Sequence, residues 1–225
     1  MSASSTVWQG AGRRIHMQEV GTRDGLQMEQ AFVPTDDKIA LVNALSNAGL
    51  SKIEVTSFTS PTAIPALKDA EMVMREITRR PGTVYSALVP NVRGAERAIE
   101  ARTDELNLVM SASETHNISN LRMTREQSFA SLAQVVATAQ AAQVAVNVSL
   151  SCVFGCPMEG NVHASAVFDW VQRFADLGVR GITLCDTTGM AYPTQVHQLT
   201  TAARARWPGM DFTLHFHNTR GMGLA

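Results

Sequence analysis

Short apolar runs alternate with longer amphipathic stretches along the whole chain, and this order restricts the fold more than any other feature. The apolar runs predict strands, and the stretches between them predict helices, with a repeat of about 30 residues. Strict alternation of this kind means a parallel sheet with helices packed on it. Seven strands are predicted, at residues 15–20, 52–58, 83–89, 105–110, 144–150, 181–185 and 212–217.

Several helix boundaries carry their own sequence signals. Thr35 is predicted as the N-cap of the first long helix, and Gly49 should end that helix. Thr124 and Gln127 have the spacing of a capping box ahead of an Ala-rich helix. Another helix is expected over roughly residues 64–80, from the spacing of its apolar positions.

Two parallel architectures fit this order, a doubly wound sheet and a closed barrel. We expect the α/β class and the TIM (β/α)8 barrel, with seven strands present in this chain and the eighth missing. The sequence shows no linker composition and no second domain. We therefore expect one (β/α) barrel domain over residues 1–225, incomplete at its C-terminus.

Composition excludes several classes of partner. The formal net charge is −1, and no run of Lys or Arg is longer than two residues, so neither nucleic acid nor a membrane surface is expected. No apolar run approaches the ~20 residues of a membrane-spanning helix, and the Ser-, Ala- and Gly-rich start lacks a signal-peptide core. Three cysteines without framework spacing argue against a secreted disulfide scaffold. A cytoplasmic protein with a short frayed N-terminus is expected.

The sharpest candidate site comes from the last predicted strand. His215 and His217 are two residues apart, so they project to the same face of the strand. An isolated pair of this kind favours two separately hydrogen-bonded histidines. Asp24 follows the first strand at the same rim and adds a carboxylate, and the three residues together favour a metal site. Such a set could hold non-haem iron, zinc, manganese or magnesium.

Other charged residues at this rim allow two interpretations each. Arg23 could hold a developing oxyanion, or it could form a plain ion pair with Asp24 in a turn. Glu54 lies in an otherwise apolar strand, where a charge needs a partner, and Arg23 is the expected one. Asp186 either supports proton handling or caps a turn, and the two interpretations are equally favoured. The Cys152–Cys156 spacing is a weak zinc signal, and a tight loop is favoured there.

Five motifs follow one another along the chain: Glu19-Val-Gly-Thr-Arg-Asp-Gly-Leu-Gln27, Ile53-Glu-Val-Thr-Ser-Phe58, Ser151-Cys-Val-Phe-Gly-Cys-Pro-Met-Glu-Gly160, Cys185-Asp-Thr-Thr-Gly189 and His215-Phe-His-Asn-Thr-Arg-Gly221. Together and in this order they resemble the 3-hydroxy-3-methylglutaryl-CoA lyase family, whose members are metal-dependent TIM-barrel enzymes. The first and third motifs favour the lyase branch over isopropylmalate-type synthases.

The resemblance implies a retro-Claisen cleavage of a 3-hydroxy-3-methylglutaryl-CoA-like acyl-CoA to acetyl-CoA and a keto acid, as in leucine catabolism. It implies Asp24, His215 and His217 as ligands of a divalent ion, for which hard, oxygen-rich surroundings favour Mg²⁺ or Mn²⁺. Arg23 would neutralise the enolate oxygen, and Glu54 would orient Arg23. The substrate proton would pass to Asp24 or His215.

The resemblance also implies roles for residues around this centre. Asp186 would support the substrate or the proton path, and Gln27, Ser57 and Thr187 would contact the substrate. Family members are often dimers, so a homodimer is expected.

Two departures from the family pattern concern the end of the chain. A catalytic Cys on a Gly-rich loop and an Asn ligand would lie beyond Ala225, so a bare chain of these 225 residues is expected to be inactive. Asn218-Thr-Arg220 stands where many lyases have Asp-Thr-Tyr, and residues 113–116 are another possible determinant of substrate identity. Three alternatives remain: a Claisen-type condensing synthase, a non-haem iron oxygenase, and a homologue without catalytic activity.

Overall fold

The computed structural model describes residues 15–224, so the expected frayed N-terminus lies outside the described residues. Seven strands form one parallel sheet whose spatial order equals the chain order. A doubly wound sheet would reverse this order at a switch point, so the barrel prediction is confirmed. The strands are β1 (Gln18–Glu19), β2 (Lys52–Ser57), β3 (Val84–Leu88), β4 (Glu105–Ser111), β5 (Ala145–Ser151), β6 (Gly181–Asp186) and β7 (Asp211–Phe216).

Helices connect each strand to the next, as the alternation predicts. A π-helical turn (Gly21–Gly25) follows β1, and a 3₁₀ turn (Pro65–Leu67) follows β2. Within residues 15–224, no helix is long and apolar enough to cross a membrane. The helices are α1 (Thr35–Asn47), α2 (Ala70–Glu76), α3 (Val92–Glu100), α4 (Glu114–Leu121), α5 (Arg125–Ala141), α6 (Ala164–Asp176) and α7 (Pro193–Arg206).

Three helix predictions need correction. Thr35 is the first helical residue rather than the N-cap, and its hydroxyl donates to Asp69 Oδ2 at 2.8 Å. The helix expected over 64–80 is only α2, because the N–H of Thr78 donates to Asn43 Oδ1 at 2.7 Å instead of continuing the helical ladder. Helix α4 has no counterpart among the predicted helices. The capping box of α5, in contrast, is confirmed.

The barrel wall separates an apolar layer from a polar interior. Alternate residues of each strand face the helices, and those such as Ile53 and Leu106 are fully buried in the core. The sheet curls until β1 approaches β7, where Gln18 Nε2 donates to Thr213 Oγ1 at 3.2 Å. The interior holds a cavity of about 210 Å³ whose lining includes Lys52, Glu54, Glu105, Asn107, Asn147 and Thr183. TIM barrels usually fill this space with branched apolar side chains, and the polar interior found here departs from that pattern.

Candidate metal centre

The turn after β1 places Arg23 and Asp24 at the carboxyl end of the barrel. The N–H groups of both residues donate to the Val20 carbonyl, at 3.0 and 2.6 Å. The Glu19 carboxylate caps the turn, because its Oε1 accepts from the N–H groups of the next two residues at 2.8 and 2.7 Å. Single π-helical turns of this kind are frequent at functional sites, where they re-aim side chains.

Asp24 and the two histidines of β7 converge on one point. Asp24 Oδ2 lies 3.6 Å from Nε2 of His215 and 3.6 Å from Nε2 of His217. The two imidazole rings are nearly parallel, with centroids 5.0 Å apart and planes inclined by 12°, as their spacing on one strand face predicts. Among residues 15–224, these three are the only group of His, Cys, Asp and Glu whose ligand atoms all lie within 4.8 Å of one another.

This donor set fits a divalent ion. Ligands about 2.1 Å from Mg²⁺ lie about 3 Å apart when they are adjacent in an octahedron, close to the separation found here. The other oxygen of Asp24 is held by Arg23 Nη1 at 2.7 Å, which fixes the carboxylate plane. Two imidazoles and one carboxylate leave further coordination positions for oxygen donors.

The protonation state of His215 at neutral pH suits a metal ligand. Burial lowers its pKa below the ordinary value of 6.5, and the Asp24 carboxylate opposes this only in part. The imidazole is therefore neutral at pH 7, which is the form that binds metals.

Metal affinity is expected to follow this titration. A lowered pKa means that protons compete with the metal for His215 only below its ordinary value of 6.5. The Kd for Mn²⁺ should therefore stay nearly constant from about pH 8 to about pH 7 and rise steeply toward about pH 5. Calorimetric titration across this range measures the profile. A Kd that already rises between the two higher pH values would contradict it.

Arg23 is buried between two carboxylates. Only 8% of the residue is exposed, Nη2 donates to Glu54 Oε2 at 3.0 Å, and Nη1 donates to Asp24. Burial alone would lower the Arg23 pKa, but the carboxylates of Glu54 and Asp24 outweigh it and raise the pKa. The predicted pairing of Glu54 with Arg23 is thus confirmed. The hydroxyl of Thr22 ties the same turn to β2 by donating to the Glu54 carbonyl at 2.8 Å.

Asp186 organises the loop after β6. Its Oδ1 accepts from the N–H groups of Met190 and Ala191 at 2.7 and 2.9 Å, so the turn-capping interpretation is supported. Thr187 lies in the same loop, and its hydroxyl accepts from the N–H of Cys152 at 2.9 Å. Asp186 does not belong to the three-residue group around Asp24, and a role in proton handling remains a prediction.

The two remaining residues predicted to contact substrate, Gln27 and Ser57, also lie at this end of the barrel. Ser57 is buried at the end of β2, and its hydroxyl lies 2.7 Å from that of Thr59. Gln27 is half-buried just after the π-helical turn. Their contact with substrate stays a prediction.

Sequence reasoning missed a polar network behind Glu54. Asn107 on β4 donates from Nδ2 to Glu54 Oε1 at 2.8 Å, and its own Oδ1 accepts from Asn147 and Ser149. The available signal was the same as for Glu54, a polar residue flanked by apolar residues within a buried strand. The three cysteines are free thiols and buried, and the pKa of Cys185 is raised to about 12 by burial.

Gly189 supports the segment that follows His217. Its φ is +68°, and a Cβ there would lie 2.5 Å from the Thr219 side chain and 2.8 Å from the His217 carbonyl oxygen. Arg220 clamps the two segments together, since its Nε donates to the Gly189 carbonyl at 2.8 Å. The loop after β6 therefore sets where His217 lies.

Replacing Gly189 with alanine is expected to displace His217 and weaken Mn²⁺ binding by about 10-fold or more, in the range of other changes to residues that orient a metal ligand. Isothermal titration calorimetry measures the effect. Gly209→Ala is the matched control, because a Cβ at Gly209 meets nothing within 4 Å. Equal Mn²⁺ affinity of the two variants would show that the Gly189 contact does not position His217.

The fold and the site together define a parallel (β/α) barrel with a two-histidine, one-carboxylate centre at its active-site end. The family model described as HMGL-like matches residues 14–225. The chain belongs to the HMGL-like family.

Relatives and solved structures agree with this assignment. The chain is 45% identical over 213 residues to the hydroxymethylglutaryl-CoA lyase YngG of Bacillus subtilis, covering 95% of this chain and 71% of that protein. It is 37% identical to the human mitochondrial hydroxymethylglutaryl-CoA lyase, of which it covers 66%. A solved HMG-CoA lyase from Acinetobacter baumannii in complex with coenzyme A and 3-methylmalate is 48% identical and superposes with a TM-score of 0.88, covering 93% of this chain and 68% of that one. The seven strands therefore correspond to part of a longer lyase barrel.

Proposed function

We propose that this chain carries the metal centre of a carbon–carbon lyase that cleaves a 3-hydroxy-3-methylglutaryl-CoA-like acyl-CoA to acetyl-CoA and a keto acid. The observation that supports this most is the position of Arg23, a buried cation fixed beside the three metal-ligating residues. A retro-Claisen cleavage needs both groups, one to acidify a hydroxyl and one to stabilise an enolate. The coenzyme A in the A. baumannii structure supports an acyl-CoA as substrate.

Each residue has a defined task in this reaction. Asp24, His215 and His217 would hold the ion, which would supply Lewis-acid stabilisation of the deprotonated hydroxyl. Asp24 or His215 takes the hydroxyl proton. The electron pair of that O–H bond forms the second C–O bond of the keto acid's carbonyl group. The C–C bond then breaks, and its electron pair passes to the acetyl-CoA enolate. Arg23 neutralises the charge on the enolate oxygen. One proton is then added to the enolate carbon, which completes acetyl-CoA and balances the proton taken from the hydroxyl.

Burial strengthens the stabilisation of the enolate by Arg23. Its Nε–H is buried and has no hydrogen-bond partner among the described residues, an arrangement that is unfavourable in a purely structural ion pair. Two carboxylates hold the guanidinium in a fixed orientation, so little reorganisation is needed as charge develops. Glu54 has the task of orienting Arg23.

The finer assignments belong to the same proposal. The ion is Mg²⁺ or Mn²⁺, since both prefer hard donors and keep further positions for substrate oxygens. Asp186, Gln27, Ser57 and Thr187 contact the substrate or support its proton path. The chain forms one domain and assembles as a homodimer, and the reaction belongs to leucine catabolism in the cytoplasm.

The direct test is acetyl-CoA release from 3-hydroxy-3-methylglutaryl-CoA, measured with Mg²⁺ on the chain extended through an eighth strand, which closes the barrel. Metal-dependent release with a keto acid as the second product is expected. Net condensation as the favoured reaction would indicate a synthase, and iron-dependent oxygen uptake an oxygenase. Metal binding without turnover of any acyl-CoA would indicate a homologue that only binds.

A further inference from the structure

Each oxygen of the Glu54 carboxylate accepts a hydrogen bond from a different side chain. Its Oε2 accepts from Arg23 Nη2 at 3.0 Å, and its Oε1 accepts from Asn107 Nδ2 at 2.8 Å. Glu54 is only 4% exposed, and Asn107 is 8% exposed. The orientation of Glu54, and through it that of Arg23, therefore depends on where the Asn107 amide points.

The Asn107 amide is itself held in a single orientation. Its Oδ1 accepts from Asn147 Nδ2 at 2.8 Å and from the Ser149 hydroxyl at 2.9 Å. Asn147 is fixed in turn, because the same Nδ2 group also reaches Thr183 Oγ1 at 2.9 Å. A flipped amide would turn Oδ1 toward the carboxylate and Nδ2 toward the Asn147 donor, so both of these contacts would become unfavourable, and only the Ser149 hydroxyl could adapt by accepting instead.

Asparagine suits this position because it is a neutral donor. An arginine or lysine here would compete with Arg23 for the charge of Glu54. An apolar residue would leave Oε1 buried without a donor. With Asn107, the whole negative charge of Glu54 stays available to Arg23, and the carboxylate cannot rotate away from it.

We propose that Asn107 is a positioning residue for the lyase reaction: it locks the Glu54 carboxylate so that Arg23 is held in the orientation that stabilises the enolate. The inference rests on the role proposed above for Arg23. The hydrogen bonds of the Asn107 side chain go to Glu54, Asn147 and Ser149 and not to the metal-ligating residues, and this role needs no contact with substrate. Its effect should therefore fall on kcat rather than on KM or on metal affinity.

A pair of substitutions tests whether Asn107 acts on Arg23 through Glu54. In N107D, a carboxylate faces Glu54 Oε1 and repels it. In E54Q, the new amide must set a donor against either Arg23 or Asn107. In the double variant E54Q/N107D, every hydrogen bond can form again, because the introduced glutamine donates from its amide nitrogen to the introduced aspartate and accepts from Arg23 with its amide oxygen. The net charge of the double variant equals that of the natural chain.

On the chain extended through an eighth strand, the expected result is a loss of kcat by about 100-fold in each single variant, the range found for removing one stabilising donor. The KM and the Kd for Mn²⁺ should stay within about threefold of the natural values, and the double variant should recover at least about 10-fold in kcat over either single one. N43D is the control, since the Asn43 side chain only accepts from a backbone N–H and an aspartate can do the same. Additive losses in the double variant, or a single variant with unchanged kcat, would overturn the proposal.

A second readout does not depend on activity. Nitrogen NMR of the Arg23 guanidinium, assigned by the loss of its signals in R23K, reports rotation about the Cζ–Nε bond. Rotation should be faster in N107D and slow again in E54Q/N107D. Unchanged rotation in N107D would refute the positioning role even if the lyase is active. Absence of acyl-CoA cleavage by the natural chain extended through an eighth strand would instead refute the proposed function and leave the NMR comparison to decide on Asn107.

Discussion

Asparagine in place of Asp24 is expected to raise the Kd for Mn²⁺ by more than about 100-fold, since loss of a direct ligand should exceed the 10- to 100-fold effects of residues that only orient ligands. Asp24 Oδ2 is the one anionic atom between the two imidazoles. Without its charge, two neutral nitrogens remain, and they hold Mg²⁺ or Mn²⁺ weakly because both ions prefer oxygen donors. In the chain extended through an eighth strand, acetyl-CoA release should fall in parallel, because the hydroxyl is no longer acidified.

The control for this variant is D169N. Asp169 is exposed on α6, outside the three-residue group, so its replacement should change neither Mn²⁺ affinity nor turnover. Calorimetry of the three proteins at neutral pH gives the comparison. Mn²⁺ binding by D24N with the affinity of the natural chain would show that Asp24 is not a ligand.

Lysine in place of Arg23 is expected to lower kcat by about 100- to 1,000-fold while the Kd for Mn²⁺ rises by only about 10-fold, the lower end of the range for residues that orient a metal ligand. The guanidinium donates to Asp24 and Glu54 at once, and a single ammonium cannot reproduce this two-sided geometry. Lysine keeps the positive charge next to the Asp24 carboxylate, so the metal can still bind. Steady-state kinetics of the chain extended through an eighth strand, with a parallel Mn²⁺ titration, measure both effects.

R173K is the matched control for R23K. Arg173 also binds a carboxylate with two nitrogens, each 2.7 Å from an oxygen of Glu126, but this pair lies on the surface. Exposed ion pairs contribute little to the free energy of unfolding, so R173K should keep natural kcat and metal affinity. If R23K lost metal affinity as strongly as D24N, Arg23 would be a structural partner of Asp24 rather than a stabiliser of the enolate.

Local patterns in the sequence predict the parts of this site that depend on one strand or one turn. The pairing of His215 with His217 follows from strand periodicity, and the partner of Glu54 follows from the need to balance a charge in an apolar strand. The seven strands follow from apolar runs with turn residues between them, and the capping box of α5 from its spacing. In each case, the physical constraint acts within a few residues.

Contacts across the barrel could not be predicted in this way. Asn107 and Glu54 lie on strands separated by β3, and their meeting inside the barrel depends on strand register and closure. The end of α2 depends on a hydrogen bond from Thr78 to a side chain on α1. The close approach of Gly189 to the segment after β7 is likewise a product of tertiary packing. A sequence pattern over a few neighbouring residues does not identify any of these partners.

The most direct test of the metal centre is electron spin-echo envelope modulation of Mn²⁺ bound to the 225-residue chain, with and without ¹⁵N-labelled histidine. Modulation from two imidazole nitrogens is expected, reduced to one in either H215A or H217A and unchanged in H197A, which removes an imidazole from α7 outside the group. Mn²⁺ without histidine modulation, or with modulation that survives in both H215A and H217A, would contradict a centre built from Asp24, His215 and His217.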